Sequence, residues 1–98
     1  MYVHLMFEWD PDKARSNLAK HGVSFELETR VWDDPLVEVM LNSVVDGEER
    51  WAAIGTVATL LLVVVHSSPE PTDDRNVRII SARKATPSER RRYEQQTL

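Results

Sequence analysis

The chain has no cysteine. That excludes a disulfide framework and any thiolate metal site, and it fits a reducing compartment. Glycine is scarce, with three in 98 residues, and they do not cluster, so there is no glycine-rich phosphate loop. No pair of histidines and no acidic run has metal-ligand spacing, so neither a metal nor another cofactor is expected. The longest apolar run, residues 60–65, is far shorter than the roughly 20 residues of a membrane helix. Residues 1–5 show no basic stretch leading into a long apolar one, which predicts no secretory signal. Repeats and low-complexity tracts are also missing. The expectation is one soluble, cytoplasmic domain over residues 1–98 with no membrane partner.

Positive charge is the last scarcity, and it is uneven. Residues 1–74 hold 5 Lys and Arg against 14 Asp and Glu, a balance of −9. Residues 75–98 hold 7 against 2, a balance of +5. An acidic protein with a basic last quarter points to an anionic partner for that end, or to a solvated face that offsets acidic neighbours.

What is present falls into clear elements. Residues 5–9 have the bulky, aromatic character of a short strand. Asp10 as cap, Pro11 at the first helical position and Asp12 beside the positive helix end open a helix that Gly22 closes. Ala14, Leu18 and His21 share one of its faces. Ser24 opens a second helix through Trp32, which Asp33-Asp34-Pro35 stops. From Leu36 the period becomes two, with Val37, Val39 and Leu41 alternating against Glu38 and Asn42, a half-buried strand. Asp46-Gly47 is a turn dipeptide, and residues 50–57 form the next strand. An irregular connection is expected at Ala58-Thr59. Residues 60–66 lack a polar face until His66, as in a central strand covered on both sides. A proline- and acid-rich loop at 67–74 leads to the last strand, 75–85. Thr86-Pro87-Ser88-Glu89 then starts a polar helix over 87 to about 96.

This order predicts an α+β domain with an antiparallel sheet and its helices, two N-terminal and one C-terminal, packed against one face. The first strand is expected at a sheet edge.

Several separated blocks, in order, resemble the BrnT family of bacterial type II toxins. They are residues 7–14, Asn17, residues 20–26, 31–35, 47–51, Ile54-Gly55, 61–66 and 79–86. The resemblance implies a RelE-like fold, endoribonuclease activity that arrests translation and growth, and neutralisation by a neighbouring ribbon–helix–helix antitoxin of BrnA type. It also implies a hetero-oligomer that meets operator DNA only through that antitoxin. The short Ala58-Thr59 connection and the acidic 67–74 loop depart from the family pattern.

A metal-independent ribonuclease moves the ribose 2′-oxygen in line onto phosphorus. It needs a proton acceptor, a proton donor and positive charge at the phosphorane. Arginine suits the last task because its planar fork pairs with phosphate oxygens. Arg83 and Arg50 match family positions and are the first candidates, followed by Arg78; each could equally be an ion-paired surface arginine. Plain alternation puts Arg83 with Val77, Ile79 and Ser81, and Arg78 with Lys84, Ile80 and Ala82, so a flat strand separates the two arginines. His66 and His21 are the candidate proton carriers, although His21 could instead serve the helix terminus and His66 a strand-end hydrogen bond. Tyr93 either assists catalysis or docks the last helix. Lys84, Lys20, Arg90 and Arg91 are candidate RNA contacts. The net charge of −4 keeps a second reading open, a binding module of little nuclease activity that mainly partners its antitoxin.

Overall fold

The computed structural model describes residues 5–70, 72, 73 and 75–97; His4 and the rest of the opening tetrapeptide lie outside the described residues. Strand β1 (Met6–Glu8) leads into helix α1 (Pro11–His21). Asp10 Oδ1 accepts the Asp12 amide at 2.8 Å, and Gly22 takes the left-handed φ of 72° that ends the helix, as the sequence predicts. The inward face differs from expectation. Leu18 is half exposed, whereas Asn17 is buried.

The second helix is shorter than predicted. It runs as α2 (Phe25–Glu28) and tightens into a 3-10 turn (Thr29–Asp33). The tightening lets the segment press on the sheet at Gly55, where a Cβ would come within 2.9 Å of Val31 Cγ1. Only glycine admits that approach.

Strands β2 (Glu38–Val45), β3 (Glu48–Val57), β4 (Leu60–Ser67) and β5 (Asn76–Lys84) form an antiparallel meander. The sheet order is β1-β5-β4-β3-β2. Because β1 pairs with β5 in parallel, the sheet is mixed and not purely antiparallel; the helical segment and the whole of β2, β3 and β4 lie between these parallel neighbours in the chain. Central β4 is buried from Leu61 to Val64 on both faces, as its unbroken apolar run predicts. The Ala58-Thr59 connection is a tight turn and not an irregular one. Ladder pairing continues to Val57↔Leu60, which forces Ala58 to a φ of 55°.

The sheet has two differently dressed faces. On the first, here the α1 face, Val23, Phe25 and Val31 pack on Ala53, Val57, Leu62, Val64, Ile79 and Ala82. The ring pairs Phe7–Trp32 (5.2 Å) and Trp9–Phe25 (6.0 Å) join β1 and its exit to this layer. On the other face, helix α3 (Pro87–Glu94) sets Tyr93 against Ala52, Ile54, Leu61 and Val63. The expectation that all helices share one face is therefore corrected. The three residues between Val63's partner Arg83 and the start of α3 at Pro87 carry the chain over the sheet's end, and Tyr93, the only large apolar group on that helix, finds its apolar floor there. Thr86 and Glu89 complete a capping box.

Beyond Arg78, β5 has no strand on its outer side among the described residues, because β1 stops at Glu8. Asn17 fills that role. Its Nδ2 donates to the Ala82 carbonyl at 2.8 Å and its Oδ1 accepts the Ala82 amide at 3.1 Å. A side-chain amide thus mimics a strand partner and satisfies two buried backbone groups.

Candidate functional site

The β4–β5 register shifts between Val65↔Ser81 and His66↔Ile79, leaving Ile80 as an extra residue in β5. This bulge reverses the alternation expected of a flat strand. Val77, Ile79, Ala82 and Lys84 lie on the α1 face, while Arg78, Ser81 and Arg83 share the α3 face. The bulge thereby brings together the two arginines that plain alternation separates.

Three rows cross the α3 face. In the first, Glu38, Ile54, Val63 and Arg83 stand side by side. Helix α3 spans this row and is tied at both ends. Arg83 donates to Glu89 through two nitrogens at 2.7 and 2.9 Å, and Arg92 donates to Glu38 at 2.5 Å. The hydrogen bonds from Arg83 draw the Glu89 carboxyl down to about 2, and those to Glu89 push the Arg83 guanidinium up. Arg83, the leading catalytic candidate from the sequence, is thus held as a clamp on α3.

The second row is Met40, Ala52, Val65 and Ser81. The third is Ser43, Arg50, Ser67, Arg78 and Glu8, with Arg50 set opposite Ser67 when the β3–β4 register runs one residue past Trp51↔His66. Two strand spacings of roughly 4.8 Å put the Arg50 and Arg78 backbones about 10 Å apart, with Ser67 between them. The Ser67 hydroxyl and the Arg50 Nε are buried and have no hydrogen-bond partner among the described residues. Glu48 lies 3.8 Å from Arg50 Nε, too far for a hydrogen bond, and Glu8 pairs with Arg78 at 3.1 Å. Both ion pairs are partly exposed, so each is weak enough for a stronger anion to displace.

The other sequence candidates lie elsewhere. His66 is on the α1 face, buried, with its ring against Trp32 at 5.0 Å and its Nδ1 facing the Val64 carbonyl at 3.3 Å. Burial lowers its pKa and favours the neutral ring. His21 ends α1, half-buried on that same side of the molecule. Tyr93 is pinned by Asp34 and Thr56, at 2.5 and 3.0 Å; burial and the Asp34 carboxylate raise its pKa. Thr56 lies six positions along β3 from Arg50, so the phenol is about 20 Å from the arginine row. Lys84 is exposed on the α1 face, Lys20 is exposed on α1, and Arg90 and Arg91 are exposed on α3. Sequence reasoning missed Ser67 as a member of the row, since only the register shows that it stands between two strand arginines.

The row offers two partly exposed guanidinium groups flanking a buried hydroxyl, with a carboxylate beside each guanidinium. That is an arrangement for a phosphate and a proton acceptor. The family model described as "Ribonuclease toxin, BrnT, of type II toxin-antitoxin system" matches residues 9–89.

The chain belongs to the BrnT family.

Membership places it among type II toxin–antitoxin ribonuclease toxins and brings an antitoxin as its partner. No curated protein matches the chain at a significant level. The matched span of the BrnT model takes in Arg50, Ser67, Arg78, Arg83 and Glu89 and stops short of Tyr93 and Arg92. Glu8 stands one residue before it. Among the described residues no helix is long and apolar enough to cross a membrane.

Proposed function

We propose that the Arg50–Ser67–Arg78 row binds the scissile phosphate of RNA and that the chain is a metal-independent endoribonuclease. The observation that supports it is the bulge at Ile80, which sets Arg78 on the same face as Arg50, with two buried polar atoms between and beside them, Arg50 Nε and Ser67 Oγ, lacking partners among the described residues. Guanidinium groups from both sides neutralise the phosphorane charge, and a preset pair needs no reorganisation as that charge develops. Glu8 and Glu48 are the carboxylates positioned to accept the 2′-proton. Arg83 acts indirectly in this reading, by holding α3. Growth arrest, a ribbon–helix–helix antitoxin of BrnA type and a RelE-like ancestry of the fold belong to the same reading.

The test is cleavage of a defined RNA by the purified chain. Arg50→Ala and Arg78→Ala each lower the rate by roughly 10²-fold or more, the cost typical of losing one charge-stabilising donor. Lys84→Ala and Arg91→Ala, off the row, leave it unchanged. Full activity in both row variants removes the assignment.

A second reading has its own support. Arg78, Arg83 and Arg92 each face a glutamate, as in a protein whose arginines serve folding and whose main task is antitoxin binding. An isolated wild-type chain that leaves RNA intact yet binds its antitoxin decides for this alternative.

A further inference from the structure

The helical layer on the α1 face stops before the β2 side of the sheet. Val39 and Leu41 point to that face, paired with Ala53 and Trp51, and Val44 follows after the register shift, paired with Glu49. They are 47, 50 and 58 % exposed, where the alternation of β2 predicts a covered strand face. Three apolar side chains in a row on an edge strand, beside a half-buried tryptophan, form a patch that a protein in isolation does not keep without use.

Two hollows adjoin the stripe and share Trp51 and Ser68 as a common wall. One, of about 390 Å³, is lined by Trp32, Val39, Trp51, His66 and Val77. The other, of about 490 Å³, is lined by Asp46, Glu48 and Glu49 together with Ser68 and Pro69. An aromatic, apolar socket thus stands next to an acidic one. The stripe of Val39, Leu41 and Trp51 is on the opposite face of the sheet from the arginine row, although Ser67 and Glu48 of the row also border the two hollows.

We propose that this surface is the docking site of the antitoxin, taken by an amphipathic segment that puts an apolar side chain between Trp32 and Trp51 and a lysine or arginine between Asp46 and Glu49. The commitment to a basic-bordered segment follows from charge complementarity, because the carboxylates of the β2–β3 hairpin flank the stripe. The socket supplies the buried aromatic contacts that carry most interface energy, and the acidic hollow supplies orientation and encounter rate. The inference rests on the chain being the toxin partner of an antitoxin. Docking on the α1 face leaves the arginine row physically open, so inhibition through this surface acts by distortion or by other parts of the antitoxin reaching around the β2 edge.

The experiment measures affinity of the purified full chain for its cognate antitoxin by calorimetry. Leu41→Glu weakens binding at least about thirtyfold, the size of a hot-spot loss, and Glu49→Lys about tenfold. Leu18→Glu, on an apolar residue equally exposed on α1, leaves it within about twofold. Thermal melts and RNA binding show that the variants are folded. Wild-type affinity in both Leu41→Glu and Glu49→Lys overturns the site. A wild-type chain that dimerises alone, with Leu41→Glu breaking the dimer and sparing antitoxin binding, overturns the choice of occupant in favour of a second copy. A wild-type chain with no affinity for the antitoxin overturns the toxin–antitoxin reading itself, and the docking site with it.

Discussion

Tyr93 donates its hydroxyl proton to Asp34 Oδ2 at 2.5 Å, joining residues 59 positions apart. The same carboxylate oxygen accepts the Thr56 amide at 2.8 Å and the Thr56 hydroxyl at 2.7 Å, and Oδ1 accepts the Leu36 amide at 2.8 Å. One aspartate therefore ties together the end of the helical half, the middle of β3 and the only large apolar residue of α3. Partial burial alone would raise the Asp34 pKa; the bonds from Tyr93, Thr56 and Leu36 outweigh it and bring the carboxyl down to about 2.

Tyr93→Phe keeps the ring on Ala52 and Ile54 but removes the bond to Asp34. A hydrogen bond to a charged group contributes about 1.5–3 kcal/mol, and urea denaturation at pH 7 should show a loss of that size. The pH dependence follows from a depressed folded pKa. Asp34 and Glu89, both at about 2 in the folded chain, contribute stability that is present above their ordinary carboxyl values. It is lost as pH falls through about 4 toward 2. The acid midpoint of Tyr93→Phe should lie above that of the wild type, and an unshifted midpoint would show that the phenol does not hold Asp34.

Glu28 titrates in the opposite sense. It is fully buried, with neither carboxylate oxygen hydrogen-bonded among the described residues, and burial raises its pKa to about 8. The folded state keeps a proton that the unfolded state releases near 4.5, so stability falls as pH rises from about 4.5 to about 8. Glu28→Gln should flatten that decline and stabilise the chain at pH 8 by roughly 1–3 kcal/mol, the cost of an uncompensated buried polar group. Parallel denaturation of both proteins between pH 5 and pH 8.5 checks it.

Asn17→Ala should be among the more damaging changes to a polar residue. It leaves the amide and the carbonyl of Ala82 unpartnered at the outer edge of β5, just past the bulge, and costs about 2–3 kcal/mol. Asn17→Asp should do no better, since a carboxylate repels the Ala82 carbonyl. Amide exchange would rise first at residues 80–84, and unchanged protection there would contradict the strand-partner role.

Glu8→Gln separates binding from chemistry at the proposed row. Removing the carboxylate that pairs with Arg78 releases the guanidinium for phosphate, so RNA binds more tightly, with a steeper salt dependence. Cleavage slows by roughly 10²-fold if Glu8 accepts the proton. Tighter binding with unchanged cleavage would pass the base to Glu48, and weaker binding would remove Glu8 from the site.

Much of the layout was legible because local chemistry agrees with the fold. Asp10-Pro11, Gly22, the Thr86–Glu89 capping box and the Asp46-Gly47 turn all act within a few residues, and the structure realises each of them. The unbroken apolar run of β4 announces a strand covered on two sides. The family blocks are legible for the same reason, as short stretches with their own character.

What only the tertiary structure decided are relations across the sheet. No local signal marks Ile80 as the extra residue of a bulge, yet that residue settles which face carries Arg78 and Arg83. Burial of Glu28 and Asn17, the separation of His66 from the arginines, and the bare apolar stripe of β2 depend on which layer ends where. The amino-acid sequence determined the elements, their order and their caps, because backbone geometry and nearest neighbours act over a few residues. Register and coverage are cooperative, resting on partners tens of residues away, and only the assembled sheet shows them.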